Sequence, residues 1–514
     1  MKVFPEFKLL AMPYRADVEN ILTPAIAQRY EAEGAWWLAV PHTYDTVKLL
    51  RNLGENPAGP IQYYYDWAGG TPFDSQRVTA DMLSTNSRAY VLSEMGVGKT
   101  RAALYAYDYL HREGMAHSAL VVAPLSTLVT VWENEIFENF PHLTTAVLYG
   151  DRARRRKLLA NPADVYIINH EGVEVLSREL FADARIDTIL VDELATYRNA
   201  RSNRWKHLRP IVSRAKFAWG LTGSPTPNEP TDAYGQVKLL TPDRVGYSFK
   251  SFRDRTMRQL SQFRWVAKSD ANEIVLGTMQ PSVRFTRAQC FDLPPVTYTT
   301  RAVESTPAAA RAYRDMCEEL ALQIGAAQVT AANEGVKLSK LLQLSVGFVY
   351  DAEGKSHYIG GVNRIREIFE VIEEAESKVI VFAPFRYFVE ILYAALGKRY
   401  RAAMIHGEVP KGARDEIFAS FRHDPSLRVL VAHPKTMAHG LTLTEANTIV
   451  WAAPTTSLEI YEQANARITR AGQTRNAFIV HIQSTKAEQH VYSRLRRKAK
   501  TQGSLLEMFE QASA

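Results

Sequence analysis

The sequence predicts an α/β protein with two parallel-sheet lobes in tandem and a small α/β unit ahead of them. Three observations carry that prediction. Short apolar runs alternate with helix-forming stretches from about Thr71 to Thr286, and again from Val362 to Ile482. Strands alternating with helices give parallel sheets. The chemistry-bearing motifs each follow one of these apolar runs, and open parallel sheets bind ligands at the carboxyl ends of their strands. A glycine loop, Ser93-Glu94-Met95-Gly96-Val97-Gly98-Lys99-Thr100, sits between an apolar run and a helical one.

Composition sets the bounds. A chain of 514 residues corresponds to roughly three domains. With 46% hydrophobic and 23% charged residues it reads as an ordinary globular protein. A net charge of +7 and a sequence pI of about 9.1 fit a polyanionic partner. The two cysteines, Cys290 and Cys317, have no metal-ligand spacing and exclude a disulfide framework. No apolar run is long enough to span a bilayer and no signal pattern opens the chain, so the expected location is the cytoplasm, with no membrane partner.

Residues 1–70 read as an accessory unit. Lys8 to Tyr14 is an expected strand, Ala16 to Glu33 a helix, Ala35 to Pro41 a strand and Tyr44 to Leu53 a helix. Gly54, Pro57, Gly59 and Pro60 then break the pattern as a linker would. Trp36, Trp37, Tyr63, Tyr64, Tyr65 and Trp67 make this end aromatic-rich. Such rings can stack on unpaired bases, but packing in cores and interfaces is the favoured reading.

Residues 71–286 form the first lobe, with strands expected at Ala89–Leu92, Ala119–Ala123, Val165–Ile168, Thr188–Val191 and Phe217–Leu221. Residues 287–360 read as a helical linker or insertion. Residues 361–486 form the second lobe, with strands at Val379–Ala383, Ala402–Ile405, Val429–Ala432, Thr448–Trp451 and Ala477–His481. Residues 487–514 read as a basic helix containing Arg494, Arg496, Arg497, Lys498 and Lys500.

The glycine loop matches a phosphate-binding P-loop. Met95, Gly96, Val97 and Gly98 let backbone N–H groups curl around phosphates, and Lys99 reaches the β- and γ-phosphates. The Thr100 hydroxyl can hold Mg²⁺, and Arg101 opens the following helix. Downstream, Ile189-Leu190-Val191-Asp192-Glu193 is an apolar strand ending in two acids. Two carboxylates at one strand tip are costly without a cation between them. Asp192 is therefore assigned to the metal and Glu193 to the general base. Leu221-Thr222-Gly223-Ser224-Pro225 is a turn after a further strand, suited to relay between nucleotide and track.

These motifs resemble those of superfamily-2 helicase-type ATPases, and among them the Swi/Snf-like DNA translocases. Val121 to Leu128 with Trp132-Glu133-Asn134-Glu135 resembles their motif Ia, and Ile168-Asn169-His170-Glu171 the next nucleic-acid-contacting element. Thr222-Gly223-Ser224-Pro225 with Asn228 resembles motif III. Phe382-Ala383-Pro384-Phe385 and Ile405-His406-Gly407-Glu408 resemble the motifs that open the second lobe. Gly440 to Thr444 with Ala446 resembles motif V, and Gln463 to Gln473 resembles motif VI. The resemblance covers residues 71 to 485, with all motifs in family order.

The resemblance implies two RecA-like lobes, ATP and Mg²⁺ as cofactors, and DNA as the track. It implies that Gln463, Arg467 and Arg470 act in catalysis, the arginines on the γ-phosphate. Their spacing of three predicts one shared helix face. By the same resemblance Gln76 reads the adenine edge, since an amide both donates and accepts. Ser126, Thr127, Asn169, His170, Lys435, Thr436 and His439 are the expected track contacts, mostly to phosphates. The cationic run Arg152-Ala153-Arg154-Arg155-Arg156-Lys157 is a further candidate. One departure stands out. Ala195 occupies the place after the acid pair where the family usually has His or another polar residue, which puts that coupling route in question.

The function so expected is an ATP-driven translocase on double-stranded or branched DNA, in fork remodelling, annealing or branch migration. The stretch Trp36-Trp37-x-x-x-Pro41 resembles the accessory domain of annealing helicases. A compact monomer of a bacterial or phage-infected cell is expected, working beside replication or recombination proteins. The alternatives are a strand-separating DNA or RNA helicase, the motor subunit of a restriction system, and a nucleic-acid-binding protein with an inactive ATPase. Intact Lys99, Thr100, Asp192, Glu193, Arg467 and Arg470 argue against the last.

Overall fold

In the computed structural model the chain divides into two compact units, Met1–Cys290 with Gly503–Ala514, and Phe291–Gln502. The residues described are 1–22, 26–246, 248–261, 264–326, 331–351, 353–437, 442–470 and 472–513.

The first unit is organised on a seven-stranded parallel sheet. Its spatial order is Ser282–Val283, Arg88–Val91, Phe217–Leu221, Ile186–Asp192, Ser118–Ala123, Val165–Asn169 and Thr145–Val147. The five expected strands are all present. The two edge strands were not expected, because runs of three and two residues are too short to show an apolar pattern. The sheet is covered on both faces. Leu120, Val122, Ile189 and Val191 enter one core, whereas Val121, Ala123 and Leu190 enter the other. That alternation is the two-residue period of a strand, and burial on both sides explains the unbroken apolar runs.

The N-terminal sheet is antiparallel, in the order Lys2–Phe4, Leu9–Pro13, Ala35–Pro41, Gln28–Ala32. Val18 and Leu50, from the helices Ala16–Leu22 and Tyr44–Asn52, pack on Leu10, Met12, Leu38 and Val40. The helix expected from Ala16 to Glu33 is corrected here: it ends at Leu22, and Gln28–Ala32 is a strand paired with Ala35–Ala39. Glu33 and Gly34 both have positive φ, 55° and 74°, the signature of a two-residue hairpin turn. Because Gln28, Arg29, Tyr30 and Glu31 are all exposed, the strand carries no apolar alternation to betray it. Ile61 and Tyr65 lie in the core of the seven-stranded sheet. The Tyr65 hydroxyl donates to the fully buried Asp108 at 2.6 Å, and Trp67 packs edge-on against Tyr105. The packing reading holds for those rings, while Trp36 remains 53% exposed.

The second unit holds a six-stranded parallel sheet. Its order is Val296–Ala302, Ala477–Gln483, Ala446–Trp451, Lys378–Phe382, Val429–Ala432, Ala402–Ile405. Residues 287–360 contain the helices Pro307–Ala326 and Ala331–Ser345. They also supply the edge strand Val296–Ala302 and the hairpin Phe348–Tyr350/Ser356–Tyr358, so the second sheet begins before residue 361. The edge strand is mostly exposed and polar, which hid it in the sequence. The helix Lys486–Ser513 closes the chain, and its Leu505, Leu506 and Phe509 are buried in a core of the first unit. Among the described residues no helix is long and apolar enough to cross a membrane.

A buried ion pair braces the second unit. Arg364 and Glu488 meet at 2.9 Å with side chains 3% and 0% exposed. Arg364 also donates to the carbonyls of Ala452, Ile482 and Ser345 and to the Ser484 hydroxyl. Removing one partner would leave a buried charge uncompensated. Arg364→Ala is therefore expected to cost roughly 3–5 kcal/mol, read as faster hydrogen exchange in the strand Ala477–Gln483.

Candidate active site

The strand Arg88–Val91 runs into the glycine loop, and the loop into the helix Lys99–Arg112. Gly96 and Gly98 have φ of 88° and 80°, a region that only glycine enters freely. A Cβ at Gly98 would lie 2.3 Å from the Gln76 amide nitrogen, so any side chain there would push the Gln76 amide from its place. No side chain caps the helix at Gly98, which leaves its first-turn N–H groups for an anion. The Lys99 ammonium donates to the carbonyls of Ser93 at 2.7 Å and Glu94 at 2.9 Å. These residues fit a nucleotide's phosphates. Arg101 is ion-paired with Glu135. Gln76 is buried, accepts from the Phe73 N–H at 3.0 Å, and lies 3.5 Å from the Gly98 carbonyl, while Phe73 is exposed.

Asp192 ends its strand beside Phe217–Leu221, which in turn pairs with the strand feeding the glycine loop. One Asp192 oxygen accepts from the Trp132 indole N–H at 3.0 Å, the other from the Glu193 N–H at 3.0 Å. Burial pushes the Asp192 carboxyl up from its ordinary value, opposed by the Trp132 bond, the Lys99 charge and the Glu193 N–H. Glu193 itself sits at φ 54° and ψ 52°, left-handed for a non-glycine residue. Such strain persists only where the surroundings hold it, and it concentrates at functional sites. Among the described residues no cluster of three or more His, Cys, Asp or Glu could hold a metal.

The turn after Leu221 lies against the glycine loop. The Thr222 N–H donates to the Val91 carbonyl, and a Cβ on Gly223 would stand 3.5 Å from the Ser93 carbonyl and 3.6 Å from Met95 Cγ. Sequence reasoning missed a clamp on the other side. Arg287 ion-pairs with Glu94 at 3.0 Å, Arg284 donates to the Leu92 carbonyl at 2.7 Å, and the Phe285 N–H donates to the Ser93 hydroxyl at 3.0 Å. It also missed Trp132 as a partner of Asp192. Neither could be read from the chain, since each joins residues 60 to 193 positions apart.

The expected track residues divide. Ser126 is exposed in the short helix Leu125–Thr127 that follows the strand Ser118–Ala123. Thr127 is buried and donates to the Pro124 carbonyl. Asn169 and His170 are buried too: Asn169 accepts from Arg155 and donates to Glu171, and His170 bonds Tyr197. Lys435 is exposed and Thr436 donates to the His433 carbonyl. His439, with Gly440 and Leu441, lies outside the described residues. Within the basic run Arg155 is buried, holding the Leu148 and Gly150 carbonyls, and Arg152 and Arg156 pair with Glu179. Arg154 and Lys157 are exposed.

In the second unit Gln463 is buried near the end of the helix Leu458–Asn465. Arg467 and Arg470 do not share a helix face, as their spacing suggested; both fall in turns beyond it. Their guanidinium Nε groups cap carbonyls the helix leaves open, Arg467 on Gln463 at 2.8 Å and Arg470 on Ala466 at 3.0 Å. Arg470 also reaches the Thr442 hydroxyl, and Gln473 ties the turn to the Ala446 and Ile468 carbonyls.

The raised pKa of Asp192 gives a stability prediction. Its ionised form is disfavoured in the fold, so the penalty is present at neutral pH and vanishes as pH falls below the unfolded value of 3.8. Asp192→Asn lacks this titration, so the difference in thermal midpoint between variant and wild type, both ligand-free, is expected to shift against the variant as pH falls from 7 to below 3.8.

A family model described as the SNF2-related domain matches residues 46–346, and one for the helicase conserved C-terminal domain matches residues 362–472. Putative protein p41 of Acyrthosiphon pisum secondary endosymbiont phage 1 is 27% identical over 439 residues, covering 80% of this chain and 92% of p41. The DNA annealing helicase and endonuclease ZRANB3 of Bos taurus is 26% identical over 456 residues, covering 85% of this chain but 40% of its own length. Among solved structures, the Sulfolobus solfataricus SWI2/SNF2 ATPase core in complex with dsDNA aligns at 22% identity and a TM-score of 0.41, over 86% of this chain and 95% of that one. With a glycine loop, an acid pair and more than half its length matched by one family model, the chain belongs to the SNF2-related family and is an ATP-hydrolysing enzyme of helicase type.

Proposed function

We propose that this enzyme is a translocase that spends ATP to move along double-stranded or branched DNA, remodelling forks, annealing strands or migrating branches. The observation that carries this is the arrangement around the glycine loop, with the Thr222–Ser224 turn packed against it and the Lys99 charge acting on Asp192, within a SNF2-related chain. The relatives named as DNA annealing helicases support the annealing part of the reading.

In this proposal residues 95–100 cradle the phosphates and Lys99 leaves its two carbonyls to neutralise the β- and γ-oxygens. Thr100 and Asp192 hold Mg²⁺, which supplies charge neutralisation of the transferred phosphoryl group. Glu193 orients the attacking water, and Arg467 and Arg470 are assigned stabilisation of transition-state charge. Gln76 is assigned the adenine edge. Exposed Ser126 and Lys435 are the first choices for track phosphates; the buried bonds of Asn169 and His170 suit them to shape the surface those residues present.

The decisive experiment compares ATP hydrolysis without nucleic acid and with single-stranded, duplex, forked and four-way DNA. Duplex or branched DNA is expected to stimulate the wild type, and Lys99→Ala to abolish turnover; no stimulation by any DNA would sink the reading. Trp132→Phe is expected to lower turnover roughly 10–100-fold, as loss of a ligand's outer partner does. It should also move the acid limb of the pH–rate profile upward, because the lost hydrogen bond holds the Asp192 carboxyl down. Removal of residues 1–53, which spares Ile61 and Tyr65, is expected to reduce the preference for branched over plain duplex DNA while leaving duplex-stimulated hydrolysis in place.

A further inference from the structure

Between the strand Phe217–Leu221 and the edge strand Ser282–Val283 the first unit makes an excursion that the motif set does not use. Residues 244–268 carry seven cations, Arg244, Lys250, Arg253, Arg255, Arg258, Arg264 and Lys268, against the single acid Asp254. An excess of six in this stretch compares with a net charge of +7 for the whole chain. The stretch folds as the helix Phe249–Thr256 followed by a two-stranded antiparallel ribbon, Met257–Ser261 with Arg264–Ala267.

The ribbon's base is fixed. Phe252, Thr256 and Met257 are buried, the Lys268 N–H donates to the Thr256 carbonyl, and its ammonium donates to the Asp254 carbonyl at 2.6 Å. The Arg253 guanidinium lies 3.9 Å from the centre of the Trp265 ring and braces one face of the ribbon against the helix. Gln259 pairs with Trp265, so its neighbour Arg258, opposite Val266, lies on the other face. Arg255, Arg258, Gln259, Leu260 and Ser261 are all exposed, Leu260 by 50%. Among the described residues neither Arg255 nor Arg258 has an acidic partner. The helix packs on the turn Pro230–Asp232, just beyond the Thr222–Asn228 segment at the carboxyl edge of the sheet. Arg255 and Arg258 are thus carried on an arm whose base is held beside the Thr222–Asn228 segment.

We propose that this ribbon is a duplex-DNA contact, with Arg255 and Arg258 on backbone phosphates. It rests on the translocase reading and adds a surface to it. The charge argues for a polyanion, and a two-stranded ribbon has a cross-section the major groove admits. Exposed arginines without acidic partners bind phosphate by releasing counterions, so they set affinity and its salt dependence without reading sequence.

The test is the double variant Arg255→Ala/Arg258→Ala, assayed for duplex-stimulated ATP hydrolysis across a salt series. The duplex concentration for half-stimulation is expected to rise about tenfold near 0.1 M salt, and the log–log salt slope to fall by roughly 2. DNA-free hydrolysis and thermal midpoint should be unchanged, and Arg255→Lys/Arg258→Lys should restore most of the response. A wild type stimulated by duplex with a double variant stimulated identically overturns the ribbon contact and spares the translocase reading. A wild type that no DNA stimulates overturns both.

Discussion

One carboxylate sets the terms for the first unit. Asp192 ends a central strand, where burial disfavours its charge, yet the metal-holding role proposed for it needs it ionised. The surroundings supply what stabilisation they can: an indole N–H from Trp132, a backbone N–H from Glu193 and the field of Lys99. A divalent cation would complete the set. The left-handed backbone at Glu193 belongs to the same arrangement, since the turn that places the second acid also aims an N–H at the first. Buried polar groups are costly unless every partner is in place, which is why residues from three separate strands and loops converge here.

Trp132 bears on the missing polar residue at Ala195. That alanine is fully buried and offers no side-chain bond between the acid pair and the Thr222 turn. Trp132 instead comes from the wide-turn helix Leu128–Glu133, directly after the exposed Ser126. π-type turns are rare and recur at functional sites. A displacement of that helix would be felt at Asp192 through a single hydrogen bond.

The interior parallel strands of both sheets were legible because they are buried on two faces and so read as unbroken apolar runs. The glycine loop and acid pair were legible because their chemistry is local in sequence. What escaped was exposed or nonlocal. Gln28–Ala32 and Val296–Ala302 are edge strands with few buried residues, so no periodicity marks them. The clamp of Arg284 and Arg287 on the glycine loop joins positions some 190 residues apart. The basic run at 152–157 misled in another way: Arg155 is spent inside the fold, and sequence cannot distinguish a cation that binds a partner from one that binds its own backbone.

The two carbonyls that hold Lys99 have an energetic meaning. The ammonium donates to two neutral acceptors, the Ser93 and Glu94 carbonyls. In the proposed role, the oxygens of a nucleotide's phosphates compete with those carbonyls for the same ammonium. Hydrogen bonds to charged groups contribute about 1.5–3 kcal/mol each, so what Lys99 adds to binding is the difference between two sets of bonds and not the full strength of either.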